Sequence, residues 1–149
     1  AEHKGTAFVE IFQNCIVFND GAYDAITDKS LRDDARLLLE HGKPLIYGKG
    51  RDKGVRLRGL EPEAVALGEG GVSEADLVVH DEAAEHGGLA FFLSQFDAPA
   101  LPVPLGVFRA VSAPTYEDMN LQLHADAEAR KGRGTLAGLF NSGDTWTIK

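Results

Sequence analysis

Apolar positions in this chain fall into short blocks whose period changes from two to about three and a half and back. The first block, Ala7-Phe8-Val9-Glu10-Ile11-Phe12, is apolar on both alternating faces and rich in β-formers, the pattern of a mostly buried strand. Before it, Ala1-Glu2-His3-Lys4-Gly5 reads as the last turn of a helix, with cations and then a capping glycine, although no helix precedes it. A domain rarely opens on its central strand, so the expectation is that something upstream has been removed. Residues 13–23 carry Asn, Asp and Gly at turn density around Cys15 and read as a loop at the C-terminal end of that strand. Ligands of open α/β sheets gather at such ends.

Further along, Asp28-Lys29-Ser30 offers a helix cap, and Leu31, Ala35, Leu38 and Leu39 follow at helical spacing until Gly42 and Pro44. Residues 45–47 and 55–60 read as the strands of a hairpin with one wet face, joined across 48–54. The Pro, Ala, Glu and Gly of residues 61–71 suggest a short helical turn and a loose connection. Leu77, Val78 and Val79 form a short buried strand ahead of a turn at His80-Asp81. A helix is expected over 82–95, broken near Gly87-Gly88 and burying Leu89, Phe92, Leu93 and Phe96. Pro102 and Pro104 each lack a ladder donor, which makes residues 101–109 an edge strand or wrapping arm. A polar helix from about Pro114 to Lys131 and a short one over 136–140 precede a tail that carries Trp146. The pattern implies one domain, or the remnant of one.

Composition narrows the function. Fifteen Lys and Arg against 23 Asp and Glu give a net charge of -8, without the basic footprint that nucleic acid or an anionic membrane requires. No apolar run reaches the roughly 20 residues of a spanning helix, and no secretory signal pattern opens the chain. A cytoplasmic protein is expected. The single cysteine, Cys15, forms no internal disulfide, in keeping with a reducing compartment.

Catalysis by side chains alone finds little support, since no nucleophile elbow, zinc-helix motif, Cys-x-x-Cys or phosphate loop of the Gly-x-x-x-x-Gly-Lys kind is present. Gly68-Glu69-Gly70-Gly71 lacks the strand and helix that would make it a phosphate cradle. His80, Asp81 and His86 offer imidazole and carboxylate donors for a metal, but a surface turn is the favoured reading. Cys15 is either a small buried hydrophobe or a ligand.

The run from Lys4 to Gly21, Lys-Gly-Thr-Ala-Phe-Val-Glu-Ile-Phe-Gln-Asn-Cys-Ile-Val-Phe-Asn-Asp-Gly, resembles the strand and loop of β subunits of 2-oxoacid:ferredoxin oxidoreductases, particularly those acting on 2-oxoglutarate. Leu77-Val78-Val79-His80-Asp81, residues 102–109, Pro114-Thr115-Tyr116 and residues 142–146 look like successive landmarks of that family's C-terminal extension. The resemblance implies an α/β fold: the C-terminal part of a thiamine-diphosphate-binding fold, a partial and mostly parallel sheet with flanking helices, over residues 1–60. Residues 61–149 would be the C-terminal extension of the β subunit.

What the family does is oxidise a 2-oxoacid with thiamine diphosphate and Mg²⁺, pass electrons through a 4Fe–4S cluster to ferredoxin, and transfer the acyl group to coenzyme A. An α subunit is the partner. Position for position, the resemblance makes Cys15 the fourth cysteine ligand of the cluster. The family's other three cysteines and its Gly-Asp-Gly to Asn-Asn segment for Mg²⁺ and diphosphate have no counterpart here, so this piece alone is expected to be catalytically silent. Gln13 and Asn14 would tune the cluster by hydrogen bonding or merely stabilise the turn, and Asn19 and Asp20 would orient the loop. Residues 102–146 would pack on a partner subunit or close the domain's own apolar face. A free-standing assembly or binding module, with Cys15 a plain thiol, is the other class.

Overall fold

The computed structural model describes residues 3–146 and 148. Two compact units emerge, one made of residues 10–111 and the other of residues 1–9 with 112–149. Residue 60, the boundary expected from the sequence, lies in the turn of a hairpin within the first unit.

In the larger unit, the short helices α1 (Asp24–Thr27) and α2 (Arg32–Ala35) lead into strand β1 (Arg36–Leu38). β2 (Ile46–Tyr47), β3 (Lys53–Arg58) and β4 (Glu61–Ala66) form a three-stranded antiparallel sheet in the order β2-β3-β4. Helix α3 (Gly88–Ser94) precedes β5 (Val103–Leu105), which pairs with β1 in parallel, Leu37 opposite Pro104. The architecture is therefore mixed α/β with a small parallel sheet, as the resemblance implied. Leu37, Leu45, Val55, Leu93 and Phe96 make the core, with Tyr47, Val78, Leu89, Phe92 and Phe108 packed around them. The Phe92 and Phe96 rings meet edge to face at 5.0 Å.

Glycine matters most at Gly54. A Cβ there would lie 2.5 Å from Leu77 Cδ1, so the bare backbone is what lets residues 77–79 lie across β3. That segment joins through the bridges Arg56–Leu77 and Pro44–Val79 and through the Val78 amide, which donates to the Val55 carbonyl at 2.9 Å.

The hairpin and the edge role of residues 101–109 are found as read from the sequence. Five expectations are corrected. Residues 7–12 form no strand, since among the described residues nothing pairs with them in a ladder; Phe8 is 91% exposed. The helix expected from Leu31 to Leu39 stops at Ala35: beyond it Leu37 is buried and Leu38 exposed, and pairing with β5 imposes the strand's period of two. Residues 61–66 are strand β4 despite their helix-formers, because the whole of β3 pairs with them and β4 is an edge, where Pro62 is tolerated. His80 is fully buried rather than on a surface turn. The expected helix over 82–95 is likewise shorter, beginning only at Gly88.

In the smaller unit, α4 (Tyr116–Lys131) is capped by Thr115, whose side chain accepts from the Asp118 amide, with acids in its first turn and Arg130 and Lys131 in its last. α5 (Leu136–Phe140) is capped in the same way by Thr135. Neither helix buries a single residue, and Trp146 is 81% exposed. Of the helix end expected at residues 1–5, Ala1 and Glu2 lie outside the described residues.

Candidate functional site

The loop after residue 12 is built from its own polar side chains. Asn14 spans it: its Nδ2 donates to Asp20 Oδ1 at 2.9 Å, and its Oδ1 accepts from the Gly21 amide at 3.1 Å. Gly21 has φ +76, a conformation that favours glycine. Inside this clasp the Asn19 amide donates to the Cys15 carbonyl at 2.9 Å, and residues 16–18 form the turn between them. Asn14 is therefore engaged in turn stabilisation, and Asp20 orients the loop.

Cys15 sits at the mouth of this turn, exposed and unpaired. The backbone N–H groups of Phe18, then Val17 and to a smaller degree Asn19, stabilise its thiolate and hold it below the usual thiol range, against a slight opposing effect of desolvation. It is not the small buried hydrophobe that a lone cysteine often is. Around it Ile16, Val17 and Phe18 are all exposed, giving the thiol an apolar rim.

A groove of about 380 Å³ opens elsewhere in the same unit, lined by Glu10, Ile11, Phe12, Ile26, Thr27, Arg36, Phe108 and residues 104–106. Phe12 stacks on Tyr23 with ring centroids 5.2 Å apart. Arg36 Nε donates to the Ile26 carbonyl, which fixes the guanidinium at the groove. This feature was not read from the sequence, because an arginine heading a strand carries no local signal of what folds beside it.

The imagined metal cluster dissolves. His80 Nε2 donates to the Val107 carbonyl at 2.8 Å from inside the core, and its Nδ1 has no hydrogen-bond partner among the described residues. Asp81 lies 3.5 Å from His41, and His86 Nδ1 accepts from the Gly88 amide. Among the described residues no group of three His, Cys, Asp or Glu side chains is placed to hold a metal ion. Gly68 to Gly71 form an exposed turn with a single 3-10 element, Glu69–Gly71. No helix among the described residues is long and apolar enough to cross a membrane.

Comparison with known proteins gives the loop its context. Over 99% of its length the chain is 33% identical to the 2-oxoglutarate oxidoreductase subunit KorB of Mycobacterium tuberculosis. This chain is a homologue of part of that subunit. It spans 40% of the relative's length, a share that fits a C-terminal portion. No family model matches the chain. No solved structure matches it either. The resemblance read from Lys4 to Gly21 and from the later landmarks is thereby borne out at the level of a 2-oxoglutarate oxidoreductase subunit.

A 4Fe–4S cluster takes four thiolates, and the chain has one cysteine. An exposed thiol whose ionised form is favoured by three backbone amides fits one of those four positions. Nothing in the loop fits more than one.

Proposed function

We propose that this chain is the cluster-ligand and C-terminal portion of the β subunit of a coenzyme A-dependent 2-oxoglutarate:ferredoxin oxidoreductase, located in the cytoplasm and assembled with an α subunit. The observation that carries the reading is Cys15, an exposed thiol held below the usual thiol range by the amides of Phe18, Val17 and Asn19, within a loop that resembles the family's ligand loop, in a chain 33% identical to part of KorB over 99% of its own length. In the complete enzyme, thiamine diphosphate with Mg²⁺ would supply decarboxylation of the 2-oxoacid, and the cluster would supply single-electron transfer to ferredoxin.

The chain's own contribution is placement. Cys15 would hold one iron; the Asn14–Asp20 clasp fixes the loop that presents it; and amides already directed at the sulfur would continue to neutralise charge on a bound thiolate, which raises the ease of reduction. By itself the chain lacks three thiolates and turns over no substrate.

The test uses the complete complex purified anaerobically. Cys15→Ser is expected to lower bound iron and sulfide, bleach the cluster's visible absorption and slow ferredoxin reduction, while leaving thiamine diphosphate binding in place. Full iron content with normal turnover in that variant defeats the ligand assignment. The isolated 149-residue chain, incubated with iron and sulfide, is expected to give no 4Fe–4S spectrum; a stable cluster there would favour a free-standing redox or assembly module.

A further inference from the structure

We propose that Asn14 is a positioning residue for the cluster ligand: its carboxamide holds residues 15–20 closed, which keeps the backbone amides of residues 17–19 on the Cys15 sulfur, where they raise the reduction potential of the bound cluster. The proposal rests on the oxidoreductase reading and deepens it.

Burial does not hold this loop. Ile16, Val17 and Phe18 are 79%, 75% and 91% exposed, so the amides of residues 17 and 18 are not fixed by packing of their own side chains. Within the turn, the Asn19 amide donates to the Cys15 carbonyl at 2.9 Å. The ties that span the turn from outside come from Asn14, which stands next to the cysteine and reaches beyond residue 19. Its Nδ2 donates to Asp20 Oδ1 at 2.9 Å, and its Oδ1 accepts from the Gly21 amide at 3.1 Å.

Both ends of one carboxamide are therefore in use, and few side chains can replace it. A carboxylate at position 14 could accept from Gly21 but has no proton for Asp20, and the two charges would repel; a methyl group offers neither bond. The bond to Asp20 is charge-assisted and so of the stronger kind. The far anchor is equally constrained. Gly21 has φ +76, and a Cβ there would stand 3.0 Å from Asp24 Oδ2.

What the clasp protects is a set of dipoles. The amides of Phe18, Val17 and Asn19 favour negative charge on the Cys15 sulfur, and hydrogen bonds to sulfur are among the factors that set the potential of an iron–sulfur centre. They favour its more negative, reduced state. An open loop turns those amides to water, and the potential falls.

The test is a redox titration of the complete complex, purified anaerobically and followed by electron paramagnetic resonance of the reduced cluster. Asn14→Ala is expected to keep the parent's iron and sulfide and to lower the potential. Asn14→Asp, which sets two carboxylates face to face, is expected to lower it further. In the double variant Asn14→Asp with Asp20→Asn, the carboxylate at position 14 accepts from the carboxamide at position 20 and from the Gly21 amide, the net charge equals the parent's, and the potential is expected to return toward the parent value. Full iron with an unmoved potential in Asn14→Ala overturns the proposal, as does a double variant that stays as low as Asn14→Asp. Should Asn14→Ala lose its iron, the double variant decides: iron regained supports the clasp, and iron still lost overturns it. Cys15→Ser separates this proposal from the reading beneath it. Loss of the cluster there, with no effect at Asn14, rejects the clasp alone; a full cluster there at the parent potential rejects the ligand assignment itself.

Discussion

The two units of this chain differ in how they are held together. Residues 10–111 enclose side chains with no exposed surface at all, Leu37, Leu93, Val55 and His80 among them, drawn from segments far apart in sequence. Residues 112–146 hold their shape by local means: two threonine caps, i to i+4 hydrogen bonds, and charges placed to suit the helix dipole, with no buried residue in either helix. A 16-residue helix with those devices is near the margin of stability in water when nothing packs on it. The comparison separates structure fixed by burial from structure fixed by capping, and the two respond to different perturbations.

The largest effect is expected at Leu37, fully buried in β1 and central to the core. Leu37→Ala should cost about 2–5 kcal/mol, measured by urea denaturation followed through near-ultraviolet signals of the core aromatics, while the helical signal of α4 is little affected. Loss of α4 in parallel would show that the units unfold as one.

Second comes His80. Its ring holds residue 107 to the core, and His80→Leu leaves the Val107 carbonyl without its donor. A loss of about 1–3 kcal/mol is expected. Because Nδ1 is already without a partner, the apolar replacement removes one unsatisfied atom while creating another; a stabilised variant would mean that the carbonyl finds water.

Thr115→Ala probes the other regime. It removes the side-chain acceptor for the Asp118 amide and should reduce α4 helicity by about 1 kcal/mol without moving the denaturation midpoint of the larger unit. Amide hydrogen exchange through the first turn of α4 is the measurement that separates the two.

The smallest effect is expected from the surface pair Asp34–Lys53, 2.7 Å apart. The hydrogen bond and charge of Lys53 hold Asp34 below the usual carboxylate range, and Asp34 in turn raises Lys53. For the depressed carboxylate, the stabilisation is present above its ordinary pKa and is lost as pH falls through the folded value. For the raised ammonium, it is present below the ordinary lysine pKa and is lost as pH rises through the folded value. Lys53→Met should therefore destabilise slightly between those limits and not at all in acid. A difference from the parent that persists under strongly acidic conditions would mean that the lysine stem, rather than its charge, contributes.

Legibility followed the same division. α4 and α5 were readable because caps, dipole charges and period act within a few residues. The Cys15 loop was readable for a related reason: Asn14, Asp20 and Gly21 close it over a span of eight residues. Residues 36–38 misled because Leu38 and Leu39 continue a helical spacing, and only their meeting with Val103 to Leu105 makes them a strand. Residues 61–66 misled for the opposite reason: their local preference is helical and β3 overrides it.

The sequence by itself determined the turn chemistry of the thiol loop, the capped helices, the acidic character of the chain, and its likeness to an oxidoreductase subunit. These rest on residue types at short spacing, whose energetics are local. The tertiary structure alone decided that His80 is core, that Gly54 makes way for Leu77, that β1 joins β5, and that Arg36 lines a groove beside Ile26. Each of those facts joins residues distant along the chain, and burial and ladder pairing between such residues depend on which segments meet, a choice that no local pattern contains.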